Sequence, residues 1–247
     1  MSNVIKFAIN GANGRMGRAL QALLHDDARF ELVAAINATD EWRGAPKLDV
    51  IVDFSSHAGF DAALAHCIAQ NVALVSGTTG LDASQRNALV EAARTIPVLH
   101  AANFSLGVAL LTRLVREAAA RLPDWDLEIL ETHHARKVDA PSGTALALGY
   151  AVAEARGKSF DEVAVLSREG RVGARPAGAI GFASLRAGDV IGEHTAMFAT
   201  AGERLELSHR ATDRTIFARG ALAAAAWIAG KPPGAYTVDD VISARSV

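Results

Sequence analysis

The sequence predicts an α/β protein in two parts: a doubly wound parallel sheet, then an α+β region built on a mainly antiparallel sheet. Three observations carry this. Short β-rich runs alternate with helical runs through about the first hundred residues, the pattern of parallel βαβ units. The run 48–55, LDVIVDFS, is apolar on both faces, as a strand buried in a parallel sheet must be. From about 164 to 210 the rhythm changes to β-rich segments separated by turns.

Taken in order, residues 4–10 are β-rich and run into the turn GANGRMG, and RMGRALQALLHD continues as helix. FELVAAIN (30–37) is the second strand. HAGFDAALAHCIAQ reads as a helix with Ala63, Leu64, Cys67 and Ile68 on one stripe. VALVSGTTG reads as strand and turn, DASQRNALVEAAR as helix, IPVLHAANFS as strand. SLGVALLTRLVREAAARL (105–122) is a long helix stopped by Pro123. WDLEILETHH is a strand, and TALALGYAVAEA a helix with Ser142 as its N-cap behind Pro141. In RLELSHR, Leu205, Leu207 and His209 share one face while Arg204, Glu206, Ser208 and Arg210 share the other, as in a half-exposed antiparallel strand. RAGD (186–189) and TAGE (200–203) stand where hairpin turns are expected. TIFARGALAAAAWIAG is a last helix, closed by Gly230 and Pro232-Pro233. The change of rhythm places a domain boundary near Phe104, giving domains of 1–104, completed by 215–247, and 105–214.

Composition narrows the function classes. Half of the 247 residues are hydrophobic and 21% are charged, which argues against disorder. A net charge of −2 lacks the electrostatic footprint of a nucleic-acid binder. One cysteine, Cys67, permits no intrachain disulfide and suits a reducing compartment. No apolar run reaches the ~18 residues of a membrane span. MSNVIKFAING enters a strand pattern without a cationic leader, so the expectation is a cytoplasmic protein with no signal peptide.

Gly11, Gly14 and Gly17 follow a strand and open a helix, the Rossmann-like arrangement for dinucleotide diphosphate. Gly11 allows the tight turn, Gly14 lets phosphate approach bare backbone, and Gly17 lets helix and strand pack closely. Asn37 stands at the end of the second strand, where an acidic residue would hold the adenine ribose. It can bond a hydroxyl but does not repel a 2′-phosphate, and Arg15 or Arg43 can face such a phosphate or lie as surface charge. Two more loops sit at strand ends, where open α/β sheets bind ligands: SGTTG, with Gly77, Thr78 and Thr79, and AANFS, with Ala101, Ala102, Asn103 and Phe104. Asn103 offers an amide for a nicotinamide carboxamide.

ETHHARKVDAPSGTALALG (131–149) joins a helix start to His133, His134, Arg136 and Lys137. The N–H groups of Gly143 and Thr144 lack intrahelical partners at a helix start, which is an anion site, so this stretch suits a substrate carrying carboxylates. If the strand runs to its end, His133 and His134 point to opposite faces. Zinc is the rival reading, but the spacing is wrong for H-E-x-x-H and no cysteine accompanies the pair, so no metal is expected. His194, in GEHTAMF, is the other histidine expected near the site.

GANGRMG, GTTG, AANFSLGV, HHARKVDAPSGTA and GDVIGEHTAMF occur in this order. Together they resemble the 4-hydroxy-tetrahydrodipicolinate (dihydrodipicolinate) reductase family of the diaminopimelate route to lysine. The resemblance spans nearly the whole chain, and H-H-x-x-K-x-D-A-P-S-G-T is its specific part. It implies reduction of 4-hydroxy-tetrahydrodipicolinate by NADPH or NADH. Gly11, Ala12, Asn13, Gly14, Arg15 and Met16 would bind the diphosphate, and 77–79 with 101–104 the nicotinamide end. His133 and Lys137 match acid/base positions; His134, Gly143 and Thr144 match substrate-binding positions. A homotetramer built through the second domain is also implied. The chain departs from the family at Asn37-Ala38, which replace an acidic residue and an arginine. The segment ATDEWRGAPKLD after them is short, so the peripheral strand-helix part is expected to be trimmed and cofactor preference stays open. Other classes are a related nucleotide-dependent reductase, marked by a catalytic cysteine or a Lys-Asp pair, acting on another small acid or semialdehyde, and a non-catalytic nucleotide sensor.

Overall fold

A computed structural model describes residues 4–37, 40, 42 and 47–244. Ala38 and Arg43 lie outside the described residues. The elements begin β1 (Ile5–Asn10), α1 (Arg15–Leu24), β2 (Phe30–Ile36), β3 (Val50–Asp53), α2 (His57–Gln70), β4 (Ala73–Ser76), α3 (Ala83–Ala92) and β5 (Pro97–His100). They continue with α4 (Leu106–Arg121), β6 (Asp126–His133), α5 (Gly143–Ala155), α6 (Phe160–Val163), β7 (Ala164–Val165), β8 (Ile180–Arg186), β9 (Gly192–Thr200) and β10 (Glu203–Ala211). α7 (Thr215–Ile228), β11 (Gly234–Tyr236) and α8 (Val238–Ser243) close the chain. The chain divides into two units, Met1–Leu106 with Thr215–Val247, and Gly107–Arg214.

The first unit is a parallel sheet of order β11-β5-β4-β3-β1-β2. Its strands read as apolar because both faces are covered. Ala8, Ile51, Leu74 and Val98 pack with Phe60, Ala63, Leu64 and Cys67 of α2 and Leu89 of α3. The alternate positions Phe7, Ile9, Val50, Val52, Val75 and Leu99 are buried too, and α7 packs on β3, β4, β5 and α1. The α2 stripe is thus Phe60, Ala63, Leu64 and Cys67; Ile68, expected on it, is 45% exposed because it falls on the flank of that arc. β11 escapes a periodicity reading because its three residues, GAY, are too few, yet it extends the sheet beside β5. α7 packs tightly within this unit: a Cβ on Gly220 would stand 1.7 Å from the Phe104 carbonyl oxygen.

The second unit holds a five-stranded sheet of order β10-β9-β6-β8-β7. β9 pairs antiparallel with β10 and β6, whereas β8 pairs parallel with β6 and β7. The sheet is therefore mixed: most of its paired residues are antiparallel, as expected, and parallel pairing enters through β8. The reason lies at 186–189. RAGD leaves β8, but β6 lies between β8 and β9, so RAGD is a connection and not a hairpin turn. TAGE does close the β9–β10 hairpin. α4 and α5 cover one face through Leu111, Val115, Leu148 and Val152, packed with Leu127, Ile129, Ile180, Phe182, Ala196 and Phe198. The alternate residues leave Ala183 and Leu185 exposed and Leu130 and Met197 half-buried. Among the described residues no helix is long and apolar enough to cross a membrane.

His194 lies buried on β9, its ring 5.1 Å from that of His133. Burial, then the neighbouring His133, push its pKa down from 6.5 to about 4. Between those values the unfolded chain binds a proton that the folded chain refuses, so stability rises with pH across that window.

Two outcomes follow from this packing. Gly220→Ala should lower stability in urea by roughly 1–3 kcal/mol, and an unchanged midpoint would contradict the close approach. Lowering the pH from 6.5 towards 4 should remove about 3 kcal/mol of stability through His194. His194→Asn should flatten that dependence in urea titrations, and an unaltered pH slope would refute it.

Candidate active site

β1 ends at Asn10 and the chain turns at Gly11, whose φ is +85°. A Cβ there would stand 2.5 Å from the Phe54 carbonyl oxygen, and one on Gly17 would stand 2.3 Å from the Gly11 oxygen. Only glycine lets turn, helix and neighbouring strand end come this close. The Gly11 and Ala12 amides donate to the Ile36 carbonyl at 2.8 and 3.1 Å. α1 starts behind Gly14 with no side-chain cap and no acidic residue in its first turn. Its first amides therefore have no intrahelical acceptor and face an anion favourably.

Asn37 braces this turn. Its Oδ1 accepts the Asn13 amide at 2.8 Å, while its own N and Nδ2 donate to Asp40 Oδ2 at 2.8 and 3.2 Å. An acidic side chain thus stands beside the turn after all, three residues later than the motif places it.

A cleft of 740 Å³ lies at the carboxyl ends of β1, β3 and β4. Arg15, Met16, Gly77, Thr78 and Thr79 line it, together with residues 54–58. This is the switch point of the sheet, where the chain leaves β1 for either side. Gly77 lies under the Phe54 ring, and a Cβ on it would meet Cε1 at 2.0 Å. The Thr78 side chain turns away, Oγ1 donating to Asp53 at 2.7 Å. Asp53 is fully buried and also accepts from Asn10 Nδ2 at 2.8 Å and Ser76 Oγ at 2.7 Å, so one carboxylate ties three strand ends. Ala101, Ala102, Asn103 and Phe104 do not line this cleft. Asn103 Oδ1 accepts the Ser105 amide at 2.8 Å. Phe104 is 2% exposed, edge-on to Phe54. These residues fit a dinucleotide: bare backbone at the turn, an open helix start, the Arg15 cation, and no carboxylate among the residues lining the cleft. The motif reading missed Asp53 and 54–58, although an aspartate ending the otherwise apolar strand, with two serines soon after it in DFSS, was a signal.

In the second unit β6 ends at His133. Glu131, two residues earlier, shares its face. Glu131 Oε2 lies 2.5 Å from His133 Nδ1 and Oε1 accepts the Ser142 amide at 3.1 Å. Arg186 Nη1 and Nη2 bind the two carboxylate oxygens at 2.9 and 2.8 Å, and Nη2 also donates to the Asp139 carbonyl at 2.6 Å. Burial alone would raise the Glu131 carboxyl, but hydrogen bonds from Arg186, Ser184 and His133 hold it below the usual carboxylate range.

The ladder stops at His133, so strand alternation does not govern His134. Here the Ala135 amide bonds the Gly188 carbonyl at 3.1 Å and the Lys137 amide bonds that of His134 at 3.1 Å. Desolvation first, then Arg214, Arg136, His133 and Lys137, depress the His134 pKa, which favours the neutral imidazole. Lys137 Nζ lies 2.8 Å from Asp139 Oδ1. Ser142 caps α5, its Oγ accepting the Ala145 amide at 3.2 Å and lying 3.0 Å from His194 Nε2. A Cβ on Gly143 would meet nothing within 4 Å, so that glycine keeps the helix start open. His133, Ser142 and His194 are thus in contact, with Lys137 in the loop joining β6 to α5. Glu131 and Arg186 escaped the motif reading, although Glu-x-His at strand spacing pointed to Glu131. Among the described residues no group of three or more His, Cys, Asp and Glu side chains has metal-holding geometry. Cys67 is buried in the first unit's core, and burial, then Asp53, push its thiol well up, which removes it as a nucleophile.

The comparisons agree with this geometry. The model described as dihydrodipicolinate reductase, N-terminus, matches residues 5–104, and that described as dihydrodipicolinate reductase, C-terminus, matches residues 107–242. The 4-hydroxy-tetrahydrodipicolinate reductase of Xanthomonas campestris pv. campestris is 47% identical, over 96% of this chain and 98% of that protein. The Gluconobacter oxydans protein of the same name is 48% identical, over 96% of each chain. The solved structure of a dipicolinate-bound dihydrodipicolinate reductase from Paenisporosarcina sp. TG-14 superposes with a TM-score of 0.77 at 27% identity, over 95% of this chain and 98% of that one. The chain belongs to the dihydrodipicolinate reductase family.

Proposed function

We propose that the chain reduces 4-hydroxy-tetrahydrodipicolinate to tetrahydrodipicolinate with NADH or NADPH, with loss of water, in the diaminopimelate route to lysine. The observation that carries the reading is the joining of His133, Lys137 and the open start of α5 within one strand-loop-helix segment. A diacid needs a cationic, donor-rich receptor, and a reduced ring needs a proton to balance the hydride. When bound, the nicotinamide supplies that hydride from its C4 to an electron-poor ring carbon.

The protein's own groups do the rest. The amides of Gly143 and Thr144 receive one carboxylate at the α5 start. His134, whose neutral form is favoured, donates or accepts a hydrogen bond at the substrate. Lys137, steadied by Asp139, holds the second carboxylate or delivers the proton. His133 exchanges protons through Nε2, since Nδ1 is engaged by Glu131. In the first unit the 11–16 turn holds the diphosphate, Asn37 reaches the adenine ribose, and 77–79 with 101–104 hold the nicotinamide end. These roles make the first unit the dinucleotide-binding domain and the second the substrate domain. The exposed face of the second sheet, with Leu185, Leu130 and Met197, supports self-association; the family resemblance implies a homotetramer in the cytoplasm, whose light-scattering mass would be four times 25.9 kDa.

A coupled assay with enzymatically generated substrate, run in parallel with NADH and NADPH, tests the activity; oxidation of neither would end this reading. Lys137→Met should lower kcat by roughly 10²-fold or more at an unchanged melting temperature. Full turnover in that variant would remove the proton-delivery role. His134→Ala should mainly raise KM, and an unchanged KM would place it off the substrate.

A further inference from the structure

His133 is held by a carboxylate that is itself buried: Glu131 is 1% exposed. An ionised carboxylate only accepts hydrogen bonds, so the 2.5 Å contact puts the proton of a neutral His133 on Nδ1 and leaves Nε2 bare. The two bonds from Arg186 secure that charge. A buried ion pair adds little net stability over a well-packed apolar pair, so stability alone does not account for it. A second observation points at the same nitrogen. Gly192 sits within β9, not in a turn, and a Cβ there would stand 3.0 Å from His133 Nε2, closer than to any other ring atom. Glycine at 192 keeps the space around that nitrogen clear. The charged and titratable groups around His133 are Glu131 on its own strand, Arg186 on β8, His194 on β9, and His134 and Lys137 in the loop that follows.

We propose that Glu131 is a positioning residue for the reaction: it fixes His133 with Nε2 as its proton-exchanging atom and, through the Ser142 amide, holds the start of α5 in register with that atom. This rests on the acid/base reading of His133. The same carboxylate therefore sets both the proton donor or acceptor and the receptor for the substrate's charge.

Glu131→Gln is isosteric and neutral. It should lower kcat roughly 10- to 100-fold, part of what a general acid/base supplies. The acid limb of its kcat/KM profile should move to lower pH, because the imidazolium loses an anionic neighbour. In a His133→Gln background the same change should lower kcat by less than about twofold, since its route through His133 is gone and a glutamine oxygen can still accept the Ser142 amide. A further full loss there would mean that Glu131 acts independently of His133 and would overturn the proposal. Long-range ¹H–¹⁵N spectra of the wild-type protein, with the His133 signals assigned by their loss in His133→Gln, should show Nδ1 protonated and Nε2 bare. The opposite tautomer overturns the proposal even if Glu131→Gln fails to fold. Full turnover by His133→Gln alone would sink the acid/base reading and this proposal with it. A crippled His133→Gln beside a Glu131→Gln enzyme with native kcat and pH limb would sink only the positioning role.

Discussion

The pairing of Glu131 with Arg186 organises the polar site of the second unit. A carboxylate is taken into a sheet-helix interface and saturated there by a guanidinium, an imidazole and a backbone amide. Each partner comes from a different segment: Arg186 from the end of β8, His133 from the end of β6, Ser142 from the cap of α5. Removing any one would leave the others around a less satisfied buried charge, which is expensive in a low-dielectric interior. The segments must therefore keep one arrangement, and the loop between β6 and α5 inherits it through the Arg186 bond to Asp139.

The first unit uses the same device. Asp53, buried at the end of β3, gathers Asn10, Ser76 and Thr78 from neighbouring strand ends. Its hydrogen bonds hold the floor of the cleft, while glycines at 11, 17 and 77 permit backbone and ring contacts that no side chain would allow. Buried carboxyl group and bare backbone divide the labour: one fixes the loops, the other leaves room for a ligand's phosphates.

Much of this was legible in the sequence, and the failures have physical causes. The parallel sheet showed in the nearly all-apolar strand at 50–53, because burial on both faces leaves no polar alternation to misread. The α5 cap was legible because Ser-Gly-Thr after proline has few other uses. Strand order in the second sheet was not, because nothing local in RAGD reveals that β6 will insert between β8 and β9. Three-residue β11 carried no period. Asn37 was legible as the polar residue that ends the second strand, but its links to Asn13 and Asp40 depend on the loops' paths. Glu131 and Arg186 were hidden because they lie 55 residues apart and meet only through the parallel register of β6 and β8.

The central claim is that the second unit is a receptor for a flat dicarboxylate, built around one buried glutamate. Dipicolinate, the ligand carried by the Paenisporosarcina relative, is the direct probe. Crystals grown with it should show one carboxylate within hydrogen-bonding distance of the Gly143 and Thr144 amides and the ring beside His133. Dipicolinate bound away from the start of α5, or a complex with no carboxylate on those amides, would contradict the account.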